Sequence, residues 1–104
     1  MTTIKDIQHM TAQVCEVTVK DIKGPSRHHA VTIPRMVAYH VCNQLTDKSL
    51  VVIGRAFGNR CHSTIGNGIK RVQDDPELLE MSRDIAGRLQ PVVFKSVRTV
   101  DTVR

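Results

Sequence analysis

The sequence predicts an all-α fold, a compact bundle of about six helices followed by an extended C-terminal tail. Three observations lead there. Apolar residues recur at three- and four-residue steps through most of the chain. With no Trp, one Tyr and two Phe, the core must be aliphatic, which suits small packed helices better than an aromatic-rich sheet. Finally, 104 residues with 40% hydrophobic content make one domain that can bury a modest core and is not compositionally disordered.

The elements follow in order. Ile4, Ile7, Met10 and Val14 give an amphipathic helix over 3–16. Thr18-x-x-Asp21 is a capping-box start for a short second helix, which Gly24-Pro25 stops at once. SRHHAVTI, residues 26–33, reads as a basic loop without helical period. Pro34 opens the third helix at its first position, where a missing N–H costs nothing, and Met36, Val37, Val41 and Leu45 form its stripe. Ser49 is a good N-cap for a fourth helix from Leu50 to Phe57, and Gly58 follows as a residue able to take positive φ. A fifth helix starts near His62 or Ser63 and runs to about Gln73 on Ile65, Ile69 and Val72. Its Gly66 and Gly68 weaken it by roughly 1 kcal/mol each relative to Ala. Asp75 caps a sixth helix over 76–89, with Leu78, Leu79, Met81, Ile85 and Leu89 as its stripe. The domain is therefore 1–89 and the tail 90–104. Phe57 belongs to the core, Cys15 and Cys42 are expected as buried thiols, and His9 and His40 as surface or core-edge residues.

The net charge of +5 is unevenly spread. Residues 1–21 carry −1, whereas 22–73 hold eight bases against Asp47 alone, for +7. Residues 74–88 return to −3 and the tail carries +2. A basic block between acidic flanks is the footprint of a polyanion binder.

Other classes recede. No apolar run approaches 18 residues and no signal pattern opens the chain, so the expectation is a cytoplasmic, nucleoid-associated protein with no membrane partner. Cys15, Cys42 and Cys61 are odd in number and widely spaced, and Cys61-His62 side by side is a poor clip, so neither a disulfide framework nor a metal site is expected. The chain has no G-x-x-x-x-G-K-[ST] loop, hence no nucleotide is expected, nor any other cofactor. No nucleophile with a supporting base is apparent, so no catalytic residue and no enzyme is expected.

Two short helices, 50–57 and 62–73, joined by a tight turn containing Gly, form a helix-turn-helix pattern. The second helix of such a unit enters the DNA major groove by its N-terminal residues. Arg60, His62, Ser63 and Thr64 stand where a recognition helix needs donors, acceptors and a methyl group. His62 also fits a plain cap and Leu50 plain helix packing.

Three segments carry a resemblance to a known family. SRHHAVTIPRMVAYHVCNQLT, SLVVIGRAFGNR and RCHSTIGNGIKRV resemble, in order and spacing, the C-terminal helix-turn-helix DNA-binding domain of bacterial DnaA replication initiators, here expected as a stand-alone small protein. The resemblance implies that Arg27 inserts into a minor groove from the basic loop, and that Leu50 and Val51 meet thymine methyls. It places His62, Ser63 and Thr64 on base-reading positions, and Arg35, Arg60, Lys70 and Arg71 on or beside phosphate-contacting ones; Asn67 completes the expected contact set. Cys61 stands where the family has aspartate, Val51 where proline is common, and Asn43 where a lysine often contacts phosphate. A thiol is a weak substitute for a carboxylate acceptor, which puts about 1–3 kcal/mol of base discrimination at stake.

The expected function is sequence-specific binding of double-stranded DNA at initiator-box-like sites, modulating replication initiation or transcription. The alternative is a related regulatory protein that acts through a replication initiator or its ATPase regulator, with weak or no DNA binding.

Overall fold

The computed structural model describes residues 2–25 and 29–89, which form six helices and, among the described residues, no strand. The helices are α1 (Ile4–Cys15), α2 (Val19–Lys23), α3 (His29–Leu45), α4 (Leu50–Ala56), α5 (His62–Asp74) and α6 (Pro76–Leu89). The expected tail, and residues 26–28 with Arg27 and His28, lie outside the described residues.

Local chemistry sets the helix starts. Thr18 and Asp21 form the reciprocal capping box of α2: the Thr18 hydroxyl accepts from the Asp21 N–H at 2.9 Å, and the Asp21 carboxylate from the Thr18 N–H at 3.3 Å. Thr3 and Asp6 do the same for α1. Ser49 Oγ accepts from the Val52 N–H at 3.2 Å, and Asp75 Oδ1 from the N–H groups of Glu77 and Leu78. Gly58 takes φ +84°, as its place after α4 requires, and Asn59 follows in the same left-handed region.

One boundary differs from expectation. Helix α3 begins at His29, not at Pro34, which lies inside it. Proline forfeits one backbone hydrogen bond there. The extra turn buries Val31 and Pro34, and that apolar burial offsets the loss.

Helix α3 is the axis of the molecule and packs against all five other helices. The core is aliphatic apart from one aromatic pair: Ile7, Ile22, Val37, Val41, Ile53, Ile65, Val72 and Ile85 are fully buried around Phe57. Tyr39 of α3 meets Phe57 edge to face at 5.0 Å. A Cβ on Gly68 of α5 would stand 2.8 Å from the Tyr39 ring, so this glycine allows the close approach of α5 to α3. Two polar contacts also tie helices together. Gln8 donates to the Ala56 carbonyl at 2.9 Å, joining α1 to the end of α4. His40 is buried rather than at the surface, with Nδ1 2.6 Å from Ser82 Oγ on α6, and burial lowers its pKa. Cys42 is fully buried and Cys15 half-buried.

The turn between α4 and α5 closes on Gly54, whose carbonyl accepts from the N–H groups of Phe57 and Arg60. A Cβ on Gly54 would lie 2.1 Å from the Arg60 carbonyl oxygen, a backbone atom that cannot swing away. Gly54→Ala therefore forces α4 and the turn apart. Thermal unfolding should show a loss of at least about 1–3 kcal/mol, the scale of overpacking, and a variant as stable as the parent contradicts this packing.

Candidate nucleic-acid interface

Helix α5 has two faces set by its sequence. Ile65, Gly68, Ile69 and Val72 are buried against the core. His62, Ser63, Thr64, Asn67, Lys70 and Arg71 are exposed, so the fold gathers six expected site residues on one outward surface. Lys70 and Arg71 make no ion pair among the described residues, where the recorded pair is Arg88–Asp84 on α6. Their charge is free to meet an anion.

The start of α4 borders this face. Leu50 is half-buried, its Cδ1 near Gly66 of α5, while Val51 and Val52 are 46% and 38% exposed. Val52 was not singled out from the sequence, although a signal was there. In the run Leu50-Val51-Val52-Ile53 only one side of a short helix can face the core, and Ile53 takes it. On the other edge of α5 a cleft of about 380 Å³ opens toward α3, lined by Thr32, Tyr39, Arg60, Thr64, Asn67 and Arg71. Thr32 was missed because 26–33 reads as a loop; within a helix it faces this cleft.

Two arginines are engaged by the protein itself. Arg35 is only 4% exposed, although it also lines the cleft beside α5. Its Nε donates to the Ile22 carbonyl at 2.8 Å, and its Nη2 to those of Asp21 and Gly24 at 2.7 and 2.9 Å. Burial, then the charge of Arg60, lowers its pKa. Arg60 is half-buried and its Nη2 donates to the Gly24 carbonyl, while its buried Nε has no partner among the described residues. The physical reason is the same for both. The last carbonyls of any helix have no partner within it, and at the end of α2 guanidinium groups complete them.

Cys61 is exposed at the N-cap of α5. Its Sγ lies 3.3 Å from Ser63 Oγ and 3.2 Å from Thr64 Oγ1. Hydrogen bonds from these hydroxyls, Ser63 first and then Thr64, bring its pKa down to about 6. The shift favours the thiolate, which accepts hydrogen bonds better than an ordinary thiol.

A family model described as bacterial dnaA protein helix-turn-helix matches residues 4–72. The chain is similar to the chromosomal replication initiator protein DnaA of Ruegeria pomeroyi, at 40% identity over 72 residues, 69% of this chain and 15% of that protein. The DnaA proteins of Cereibacter sphaeroides and Oenococcus oeni match at 38% over 88 residues and 39% over 93 residues, 85% and 89% of this chain. The chain spans 15–20% of the length of these three relatives. Among the described residues, no helix is long and apolar enough to cross a membrane.

The Cys61 environment predicts a titration. Alkylation of Cys61 by iodoacetamide, followed by peptide mass, should have its midpoint at about pH 6, while half-buried Cys15, whose pKa burial raises, reacts only at higher pH and Cys42, whose pKa burial pushes up to about 12, stays unreacted in the folded chain. Because the folded pKa lies below the unfolded one, the associated stability is full above the ordinary thiol pKa and lost as pH falls through about 6. An alkylation midpoint at the ordinary thiol value rules out the hydroxyl clamp.

Proposed function

The chain belongs to the bacterial DnaA helix-turn-helix family, and from that premise we propose that it binds initiator-box-like duplex DNA in a sequence-specific way and modulates replication initiation or transcription at those sites. The observation that carries the reading is the exposed face of α5, where an imidazole, two hydroxyls and an amide share one side of a helix with cations that make no ion pair among the described residues. His62, Ser63, Thr64 and Asn67 supply donors and acceptors to base edges in the major groove, and Lys70 and Arg71 meet the flanking phosphates. Val51, Val52 and Leu50 border that face with apolar atoms suited to thymine methyls. Arg27, directly after Pro25 and Ser26, reads an A·T-rich minor groove, where narrowing attracts a guanidinium. Cys61, its thiolate favoured by the two hydroxyls, stands where the family has aspartate and offers a weaker acceptor to a base amino group.

A second reading rests on that same negative charge. An anion at the start of α5 opposes phosphate, and the exposed valines suit an apolar partner surface. In that case the chain regulates a replication initiator or its ATPase regulator by direct contact, and DNA binding is weak.

Anisotropy titrations with an initiator-box duplex and a scrambled duplex separate the two. Counterion release at about four phosphates gives a roughly hundredfold loss of affinity between about 50 and about 200 mM salt. His62→Ala or Thr64→Ala should flatten preference among sequences. Lys70→Ala or Arg71→Ala should weaken all duplexes alike and reduce the salt slope by about 1. No duplex binding at low salt removes the first reading in favour of the second.

A further inference from the structure

Helix α5 carries two glycines in its interior, Gly66 and Gly68, and each costs helix stability relative to alanine. The fold accounts for Gly68, since a Cβ there would stand 2.8 Å from the Tyr39 ring. It accounts for Gly54 of α4 in the same way, through the Arg60 carbonyl oxygen. Gly66 is different. A Cβ on Gly66 would meet Leu50 Cδ1 at 3.6 Å, ordinary van der Waals contact, and otherwise open space. Its backbone is helical, a conformation that suits any L-residue. Nothing among the described residues requires its side chain to be absent.

The position of Gly66 shows what the gap faces. Four-residue spacing puts His62, Gly66 and Lys70 in one row along α5, and His62 and Lys70 are exposed. The row borders the start of α4, where Leu50 lies against Gly66. His62 and Lys70 stand one turn to either side, about 12 Å apart along the axis, with bare main chain between them. The result is a notch with polar side chains at its ends, the α5 backbone as its floor and a Leu50 methyl as one wall. Leu50 is half-buried and Val51 beside it is 46% exposed, so that side is apolar. The N–H and C=O groups of the floor are already used in helix hydrogen bonds and offer nothing to a polar base edge. In a major groove the apolar group of matching size is the C5-methyl of thymine.

We infer that Gly66 is a specificity-determining residue: its missing side chain leaves a seat in which a thymine C5-methyl packs against Leu50. This deepens the proposed duplex binding and rests on it. Helix stability is given up for an opening on the recognition face, so filling the opening moves stability and recognition in opposite directions. A glycine needed by the fold would lose both on substitution, and a glycine with no role would leave recognition unchanged.

The test compares the parent chain with Gly66→Ala in thermal melts and in anisotropy titrations. The duplexes are an initiator box and a set in which each of its thymines is replaced singly by deoxyuridine, which removes the methyl and nothing else. Gly66→Ala should melt about 4–8 °C above the parent, as an alanine in a helix interior does. Its affinity for the unmodified box should fall about tenfold, the scale of an overpacked contact. For the parent, deoxyuridine at one thymine should cost about fourfold, the scale of one buried methyl. For Gly66→Ala the same replacement should cost nothing or restore affinity, since the seat is already filled. Box affinity within about twofold of the parent overturns the inference. So does equal loss on every duplex with the deoxyuridine effect retained, which marks a change in docking rather than in the seat. A parent indifferent to deoxyuridine at every thymine also overturns it, as does a variant that melts below the parent, because the fold then needs the glycine. Each of these leaves duplex binding itself standing. A parent that binds no duplex at low salt overturns the proposed function and this inference together.

Discussion

The Tyr39 ring is the wedge on which the interface depends. It lies edge to face against Phe57 at the end of α4 and directly over Gly68 in the middle of α5. A single side chain of the central helix therefore sets both halves of the helix-turn-helix against α3. Edge-to-face geometry is directional, so the contact fixes rotation as well as distance. Rotating α5 about its axis would bring Lys70 or Arg71 toward the core and Ile65 or Ile69 toward water, and both moves are costly. The outward polar face thus follows from the inward packing.

Charge is arranged to match. Among the described residues the basic groups of α5 stay exposed and without ion pairs, while the two arginines that do turn inward are met by carbonyl oxygens. An exposed Lys or Arg leaves its water cheaply when a phosphate arrives, whereas Arg35 would have to leave three carbonyls. Two cationic side chains of the same type, Arg35 and Arg71, consequently serve different ends, one holding α2 in place and the other facing solvent.

Much of this was legible in the sequence, for identifiable reasons. Caps and apolar spacing gave α1, α2, α4, α5 and α6 nearly to the residue, because Thr18-x-x-Asp21, Ser49 and Asp75-Pro76 act over a single turn. The start of α3 was misplaced because proline is most at home in a first turn, and only tertiary burial of Val31 and Pro34 reverses that preference. Gly68 looked like a weakness of α5 until the Tyr39 ring was in place above it. The direction of Arg35 and Arg60 was not legible. The acceptors they satisfy are main-chain carbonyls, which no side-chain pattern records. Cys61 lay between these cases: its hydroxyl neighbours two and three residues on are visible in the sequence, but their approach to sulfur needs the cap geometry.

If the exposed face of α5, bordered by the start of α4, is the surface that meets DNA, adding an initiator-box duplex should shift the backbone amide NMR signals of Ser49–Val52 and Arg60–Arg71 and leave the exposed side of α6 around Arg83 and Asp84 unmoved. Shifts centred on α6 or the outer face of α1, with α5 unchanged, would contradict it.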